Sequence, residues 1–179
     1  GYKGYIIKEY FANYMLHRSD FTIDMQKDKI SVHHKNFDDW VVTLVDTGEK
    51  SLTGGRLRRV KNYLKDEEYF HFTYGDGLSD VNIEDLTRFH LSHGKLASVT
   101  SVSPPGRFGA LVTKEDTVTS FEEKPVGDGG RINGGFFILS PKVIDFIDSD
   151  FTTWEQEPLK KLASKGELMA FCHDGFWQP

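Results

Sequence analysis

The stretch that most constrains the fold runs from Tyr69 to Gly77 and reads Tyr-Phe-His-Phe-Thr-Tyr-Gly-Asp-Gly. Its first six residues, mostly aromatic or β-favouring, predict a buried strand that ends at the corner Gly75-Asp76-Gly77. A carboxylate at the carboxyl end of a strand lies where open α/β sheets bind their ligands. An Asp-Gly pair is also common in hairpin turns, so the segment after the corner decides between the two interpretations.

That segment predicts a helix rather than the second strand of a hairpin. Asp80 or Asn82 can cap its start, and Gly94 can end it. Its apolar and histidine positions recur at helical spacing: Ile83, Leu86, Phe89, His90 and His93. The order of strand, acidic corner and helix therefore favours an α/β fold with Asp76 in a ligand site.

Net charge and cysteine content narrow the class of function. A chain of 179 residues suits one domain, and its formal net charge of −5 argues against binding a nucleic-acid polymer, whose phosphates require a basic surface. Cys172 is the only cysteine, which excludes an internal disulfide and favours a reducing compartment. No apolar run approaches the roughly 18 residues of a membrane span. We expect a cytoplasmic protein without a membrane partner.

The rest of the chain alternates between strand and helix patterns. Trp40–Val45 is a nearly continuous apolar run, which suits a strand covered on both faces. Ser140-Pro141 predicts a helix start, and Thr153-Trp154-Glu155-Gln156 resembles a capping box that opens another helix. Helical patterns also cover residues 5–16 and 53–65, and strand patterns cover residues 21–25, 29–33, 96–102, 110–113, 117–122, 132–139 and 168–172.

The segment Thr53-Gly54-Gly55-Arg56 begins one of these helices. Glycines at a helix start let backbone N–H groups approach an anion or a base edge, and Arg56, Arg58 and Arg59 add positive charge. A flexible cap with a solvated basic face explains the same residues. The segment matches no complete phosphate-loop pattern, so both interpretations stay open.

Two later segments also combine charged or amide side chains with corners of the chain. Glu122-Glu123-Lys124-Pro125 follows a predicted hairpin and is either a solvated edge or a site where lysine contacts a phosphate and glutamate accepts from hydroxyls. Asn133-Gly134-Gly135 begins a strand, where a double glycine indicates a bulge or a ligand against the backbone.

Nine segments, taken in order, resemble the sugar-nucleotide pyrophosphorylases, and among them the glucose-1-phosphate cytidylyltransferases. No single segment is specific, but the ordered set is, and it spans essentially all 179 residues. The segments are Gly1-Tyr2-Lys3-Gly4, Val45-Asp46-Thr47-Gly48, Thr53-Gly54-Gly55-Arg56-Leu57, Tyr74-Gly75-Asp76-Gly77, Pro104-Pro105-Gly106-Arg107-Phe108-Gly109-Ala110, Phe121-Glu122-Glu123-Lys124-Pro125, Asn133-Gly134-Gly135-Phe136-Phe137, Thr153-Trp154-Glu155-Gln156-Glu157-Pro158 and Phe176-Trp177-Gln178-Pro179.

The resemblance implies a Rossmann-like mixed sheet flanked by helices, which is the nucleotide-diphospho-sugar transferase fold. It also implies an enzyme that uses magnesium to condense glucose 1-phosphate with CTP, giving CDP-glucose and pyrophosphate for dideoxysugar or O-antigen-type polysaccharide synthesis. In that chemistry a sugar phosphate oxygen attacks the α-phosphorus in line, so the protein contributes mainly positioning and charge neutralisation.

The resemblance also implies roles for individual residues. Asp76 matches a magnesium ligand, and a carboxylate oxygen suits that hard cation. Lys124 matches the contact to the sugar phosphate, and Glu123 a partner for sugar hydroxyls. The remaining matches are Gly109, Asn133 and Gly134 in the sugar pocket, Thr53, Gly54 and Gly55 in the wall that meets the base, and Arg56 and Arg58 near the triphosphate.

The chain departs from the family pattern at both ends. The glycine-rich loop with its Thr-Arg pair and the following Pro-Lys-Pro segment do not occur in the sequence, and the second metal carboxylate is expected just beyond Pro179. We therefore expect residues 1–179 to form one nucleotidyltransferase-like domain, truncated at both ends, without its first strand and C-terminal part. We expect this piece alone to have negligible activity.

Several alternatives remain open at the level of sequence. The residues do not favour CTP over UTP or dTTP, and a non-catalytic relative that binds sugar phosphate or nucleotide would have the same fold. A glycosyltransferase with Asp76 as its metal carboxylate is less favoured, because Lys124 suits a free sugar phosphate. Family members form homo-oligomers, and the aromatic strands near the carboxyl end belong either to such an interface or to the core.

Overall fold

The computed structural model describes residues 2–34, 38–104, 110–114, 117–122 and 130–179. In chain order its elements are α1 (Gly4–Ala12), α2 (Tyr14–His17), β1 (Phe21–Asp24), β2 (Lys29–Val32), α3 (Thr53–Arg59), α4 (Lys61–Leu64), β3 (Phe70–Thr73), β4 (Leu78–Ser79), α5 (Ile83–His93), β5 (Ala97–Val102), β6 (Ala110–Lys114), β7 (Thr117–Glu122), β8 (Ile132–Leu139), a 3-10 helix (Pro141–Phe146), α6 (Glu157–Ser164), β9 (Leu168–His173) and β10 (Trp177–Gln178).

The main sheet has four strands in the order β3-β8-β5-β9. Strand β8 is antiparallel to both of its neighbours, and β9 is parallel to β5. Three smaller pairs, β1–β2, β6–β7 and β4–β10, are all antiparallel. The predicted α/β class with a mixed sheet is confirmed.

The two faces of the main sheet bury different side chains. On β5, Ala97 and Val99 pack in the main apolar core, whereas Ser98 between them bonds to His90 and His93 of α5. This alternation follows from the two-residue period of a strand. The buried members of the main core are Leu57, Phe70, Ala97, Phe137, Leu139, Val143, Ile144, Ile147, Trp154 and Leu162.

Most predicted elements occur close to their expected positions. The predicted helix at 53–65 is divided at Val60 into α3 and α4, and the first helix is divided at Asn13. Asn82 caps α5 by accepting from the Asp85 backbone N–H at 3.1 Å, and Gly94 ends it with a φ of 63°. These confirmed features depend on neighbouring residues in the sequence.

Two predictions about strands were wrong. Trp40–Val45 forms no strand, and 63% of Trp40 and 98% of Val41 are exposed. A strand covered on both faces needs neighbours for its backbone groups, and no described strand pairs with this run. The predicted burial of β3 was also wrong: only Phe70 is buried, because β3 is at the edge of the described sheet.

The predicted capping box at Thr153–Gln156 was wrong as well. Helix α6 begins at Glu157, three residues later than a box with Thr153 as its N-cap requires, and the side chain of Gln156 makes no capping bond within the described structure. Gln156, which would complete the box, instead directly precedes the helix, and Pro158 occupies the first turn. Leu162 points into the core as expected.

Within the described ranges, no helix combines the length and apolar character needed to cross a bilayer.

Candidate active site at one end of the sheet

Several chain segments meet at one end of the main sheet. Thr73, the last residue of β3, lies opposite Phe136 in the middle of the antiparallel strand β8, so the corner after β3 runs towards the start of β8. Val102, the last residue of β5, lies opposite Ile132 on one side and His173 on the other. The acidic corner after β3 and the Asn-Gly-Gly segment of β8 are therefore at the same end of the sheet.

The corner that carries Asp76 is packed against β8. Gly135 has a φ of +78°, and a Cβ there would lie 2.7 Å from the ring of Tyr74. A Cβ on Gly77 would lie 3.9 Å from the ring of Phe136. Asp76 itself is exposed. The corner thus presents its carboxylate to solvent while its backbone rests on the strand behind it.

The strand that follows the corner, β4, pairs with the last described strand, β10. In this pair, Ser79 lies opposite Trp177. The indole N–H of Trp177 donates to the carbonyl of Gly134 at 2.8 Å. Trp177 therefore connects the Asp76 corner to the proposed sugar pocket.

Hydrogen bonds and close packing explain why the residues at positions 133 and 134 are asparagine and glycine. The Asn133 side-chain oxygen accepts from the Gly135 backbone N–H at 2.8 Å, and its Nδ2 donates to the Tyr74 hydroxyl at 3.4 Å. A Cβ on Gly134 would lie 3.0 Å from the carbonyl oxygen of Thr100. The β5–β8 register shifts here, so the expected bulge is present.

Arg131 fixes the start of β8 to the ends of its neighbours. Its guanidinium donates to the Ser101 carbonyl at 2.6 Å and to the His173 carbonyl at 2.9 Å. It also pairs with Asp174 at 2.8 Å, and this hydrogen bond raises the pKa of Arg131. Because these bonds hold the backbone at Arg131, Asn133, two residues further along the chain, also has a fixed position. The sequence analysis did not single out Arg131.

The predicted base wall lies at the start of α3 and packs tightly on another loop. A Cβ on Gly54 would lie 2.7 Å from the Thr152 carbonyl oxygen, and one on Gly55 would overlap the Asp150 carbonyl. The Thr53 hydroxyl donates to Glu155 at 2.7 Å and accepts from the Trp154 backbone N–H at 2.9 Å. Close packing therefore accounts for both glycines.

The nearby arginines have partners within the chain. Arg56 donates to the Thr47 hydroxyl at 3.1 Å and to the Glu49 carbonyl at 3.3 Å. Arg58 lies 3.8 Å from the Asp150 carboxylate. Arg59, the third arginine expected to add positive charge here, hydrogen bonds to Asp150 at 2.6 Å and lowers the pKa of that carboxyl.

Tyr74 and Glu155 occupy the space between the base wall and the Asp76 corner. Burial is the first cause, and the nearby Glu155 carboxylate the second, of the raised pKa of the Tyr74 phenol. The sequence analysis assigned neither residue to the site. Glu155 was interpreted only as part of a capping box, and nothing local indicates that its carboxylate accepts from Thr53, 102 positions away.

Three predicted site residues, Gly109, Glu123 and Lys124, lie outside the described residues. The described ranges break after residue 104, just beyond β5, include β6 and β7, and continue from residue 130, just before β8. Both of these points are at the same end of the sheet as Asp76.

The oxygen ligands that the described residues offer suit a metal ion whose remaining ligands come from the substrate. Those residues contain no group of three or more His, Cys, Asp or Glu side chains arranged around one ion. Asp76 alone would supply a single hard oxygen ligand. Mg²⁺ is commonly held by one or two carboxylates, with water and substrate phosphates as the other ligands, so the exposed Asp76 fits that mode.

The sequence of the chain is similar to those of known proteins. The chain is 63% identical over 179 residues to a glucose-1-phosphate cytidylyltransferase of Salmonella typhimurium, covering 100% of this chain and 70% of that protein. It is 41% identical over 178 residues to a probable glucose-1-phosphate cytidylyltransferase of Bacillus subtilis, covering 99% of this chain and 69% of that protein.

A solved structure shares the fold. The crystal structure of HddC from Yersinia pseudotuberculosis matches with a TM-score of 0.53 and 26% identity, over 72% of this chain and 56% of that one. This chain thus spans a little over half of the HddC chain. The nucleotidyl transferase family model matches residues 12–178. The resemblance found in the sequence is confirmed, and the chain belongs to the nucleotidyl transferase family of enzymes.

Proposed function

We propose that the protein condenses CTP with α-D-glucose 1-phosphate to give CDP-glucose and pyrophosphate. The observation that carries this proposal is the 63% identity to a glucose-1-phosphate cytidylyltransferase over every residue of the chain. The position of Asp76 and Asn133 at one end of the sheet supports it, because both substrates must meet at one place. The product is an activated glucose for polysaccharide synthesis.

In this reaction an oxygen of the glucose 1-phosphate phosphate forms a bond to the α-phosphorus of CTP. The bond from that phosphorus to the bridging oxygen breaks, and pyrophosphate leaves with the electron pair. No covalent intermediate with the protein is needed, so the residues act by alignment and by neutralising charge. A misaligned phosphate oxygen therefore lowers the rate even when both substrates are bound.

Asp76 is the residue that we assign to metal binding. Nucleotidyltransferases generally use a divalent metal ion, and we propose Mg²⁺ here because the Asp76 carboxylate is a hard oxygen donor. When bound, the ion neutralises charge on the nucleotide phosphates. The contribution of the chain is to hold the carboxylate in solvent, on a corner that follows the Tyr74 ring packed on Gly135 and that lies beside Phe136 at Gly77.

The sugar phosphate is assigned to the segments around β8. Asn133 Nδ2 carries two hydrogens, and the long bond to Tyr74 at 3.4 Å engages one of them, which leaves a donor for a sugar hydroxyl. Gly134 supplies close backbone, and Gly109, Glu123 and Lys124 complete the proposed pocket. Lys124 would act as a point charge on the phosphate.

The nucleotide is assigned to the start of α3. The Thr53 hydroxyl and the Arg56 guanidinium already have protein partners, so we propose that Thr53, Gly54 and Gly55 act as a rigid wall rather than through free side-chain donors. Arg56 and Arg58 would contribute positive charge near the triphosphate.

The test is to incubate the full-length protein with CTP, glucose 1-phosphate and Mg²⁺ and to identify the products by mass spectrometry. We expect CDP-glucose and pyrophosphate in equal amounts, and no product without the sugar phosphate. Product from UTP or dTTP in preference to CTP would assign a different nucleotide. Binding of both substrates without turnover would identify a non-catalytic relative.

A further inference from the structure

The histidine at the end of β9 contacts the segment that follows the Asp76 corner. His173 Nε2 lies 3.0 Å from a carboxylate oxygen of Asp80 and 3.2 Å from the Ser79 hydroxyl. It also lies 3.2 Å from the Phe176 carbonyl oxygen. Ser79 and Asp80 are the third and fourth residues after Asp76. His173 therefore attaches the end of β9 to the strand that leaves the acidic corner.

The chemistry of these partners determines where the ring carries a hydrogen. A carboxylate and a carbonyl offer only lone pairs, so Nε2 must carry a hydrogen to bond with Asp80 or Phe176. The Ser79 hydroxyl donates to the Phe176 carbonyl at 2.9 Å and accepts from the Val81 backbone N–H at 3.2 Å. The Asp80 backbone N–H donates to the same carbonyl at 3.2 Å. The ring is thus one donor in a set of bonds between β4 and residues 173–176.

The His173 ring is the less exposed member of its pair with Asp80. The exposed fraction is 12% for the histidine side chain and 63% for the aspartate. A Cβ on Gly175 would lie 2.5 Å from the Asp80 carboxylate and 2.7 Å from the His173 ring, so the two side chains fill the space beside that glycine. The mostly buried ring therefore fixes the position of the exposed carboxylate.

The backbone of His173 is itself bonded to Arg131, at the start of β8. The Arg131 guanidinium donates to the His173 carbonyl at 2.9 Å and to the Ser101 carbonyl at 2.6 Å. Arg131 precedes Asn133 by two residues. His173 thus contacts the start of β8 through its carbonyl and the segment after Asp76 through its ring.

We propose that His173 is a positioning residue that fixes the Asp76 carboxylate relative to Asn133. The inference rests on the proposed function, which puts the metal at Asp76 and the sugar phosphate at Asn133. In-line transfer requires the phosphate oxygen and the α-phosphorus to be aligned, so a corner that is held less firmly lowers the rate. Partners that orient metal ligands typically change metal affinity or activity by about 10- to 100-fold when they are replaced.

The test compares variants of the full-length protein in the CTP and glucose 1-phosphate reaction. His173→Leu removes the donor and keeps a side chain of similar size. We expect its kcat to fall on the order of tenfold, while KM for glucose 1-phosphate changes little because Arg131 still holds the start of β8. His173→Gln places an amide N–H near the position of Nε2, so it should restore most of the rate.

A binding measurement gives a readout that does not depend on turnover. Mg²⁺ is titrated by calorimetry into each variant with CTP and without sugar phosphate. We expect His173→Leu to bind Mg²⁺ on the order of tenfold more weakly, and His173→Gln to bind it nearly as wild type does. Thermal unfolding confirms that every variant is folded at the titration temperature. A purely structural role would lower the unfolding midpoint and leave the Mg²⁺ affinity unchanged.

Asp80 provides a second test and a matched control. The double variant of His173→Leu and Asp80→Ala should lose no more activity than the more affected single variant, because both changes break one contact. Asp145→Ala breaks an ion pair with Lys61 that is also 3.0 Å long, at an aspartate with a similar exposed fraction of 68%. This control should keep the wild-type kcat and Mg²⁺ affinity.

Three outcomes would overturn the inference while leaving the proposed function intact: wild-type kcat and Mg²⁺ affinity in His173→Leu, additive losses in the double variant, or a His173→Gln variant as impaired as His173→Leu. A wild-type protein that makes no nucleotide sugar from any nucleoside triphosphate would instead refute the proposed function itself. The two failures are thus distinguishable in one set of assays.

Discussion

At the scale of single residues, glycine has two different uses in this chain. Gly54 and Gly55 have the residue type that a ligand-binding loop requires, yet the structure shows the carbonyls of Asp150 and Thr152 lying where a Cβ would point. Sequence alone cannot distinguish these uses, because close approach by a ligand and close approach by another segment exclude the same side-chain atoms.

Substituting Gly55→Ala should therefore destabilise the fold. The added Cβ meets backbone at Asp150, which cannot turn aside as a flexible side chain would, so we expect a loss of about 1–3 kcal/mol in the free energy of unfolding. Urea unfolding followed by circular dichroism measures it. The matched control is Gly4→Ala in α1, where nothing lies within 4 Å of the new Cβ. Equal stability of the two variants would contradict the packing explanation.

Asp76→Asn tests the assigned metal ligand. The exchange keeps the size of the exposed side chain but removes its charge, so we expect turnover to fall on the order of 100-fold or more, with an unchanged midpoint of thermal unfolding. Asp66→Asn, at another exposed aspartate, should retain full activity. Calorimetric titration with Mg²⁺ and CTP should show weaker metal binding only in Asp76→Asn. Wild-type turnover in that variant would remove Asp76 from the site.

At the scale of elements, α5 is attached to β5 through two histidines that share one serine. His90 Nδ1 lies 2.9 Å and His93 Nε2 lies 2.8 Å from the buried Ser98 hydroxyl. Burial, followed by the charges of His93 and His71, lowers the pKa of His90 to about 4. Burial and Lys95 also lower the pKa of His93, against an opposing effect of Glu167. These side chains are at the positions that the helical spacing predicted.

The consequence is a stability that depends on pH. Since the folded pKa of His90 is below its ordinary value of 6.5, the unfolded chain binds more protons between about pH 4 and 6.5. Stability is fully present above that range and is lost as the pH falls through it, by at most about 1.4 kcal/mol per pH unit for one group.

Urea unfolding at several values between about pH 7.5 and 5 measures this loss. His90→Asn keeps a polar side chain of similar reach without a titrating ring, so the loss should become smaller. His34→Asn, at an exposed histidine, should leave the pH dependence unchanged. An identical slope in wild type and His90→Asn would contradict the assignment to His90.

At the scale of the whole molecule, the structural features that were predicted correctly are those determined by residues close together in the sequence. The order of strands and helices, the Asn82 cap and the Gly94 end all follow from short segments. The predicted strand at Trp40–Val45 failed because pairing partners, and not local pattern, decide whether an apolar run becomes a strand.

In the candidate site too, some residues were predicted from local patterns, whereas others depend on contacts between distant parts of the sequence. Asp76 and the Asn133 segment were predicted from local patterns, since each follows or begins a strand. The hydrogen bond from Thr53 to Glu155 was not, because the two residues are 102 positions apart and their contact depends on the tertiary fold. Arg131 was missed for the same reason, because its partners are the ends of two other strands.

The central claim is that this site transfers a cytidylyl group to glucose 1-phosphate. The most direct test gives the full-length protein equal concentrations of CTP, UTP, dTTP and GTP, with glucose 1-phosphate and Mg²⁺, and measures each nucleotide sugar by mass spectrometry. We predict that CDP-glucose is the main product and that its formation stops when Mg²⁺ is chelated. A different nucleotide sugar as the main product, or no nucleotide sugar at all, would contradict the account.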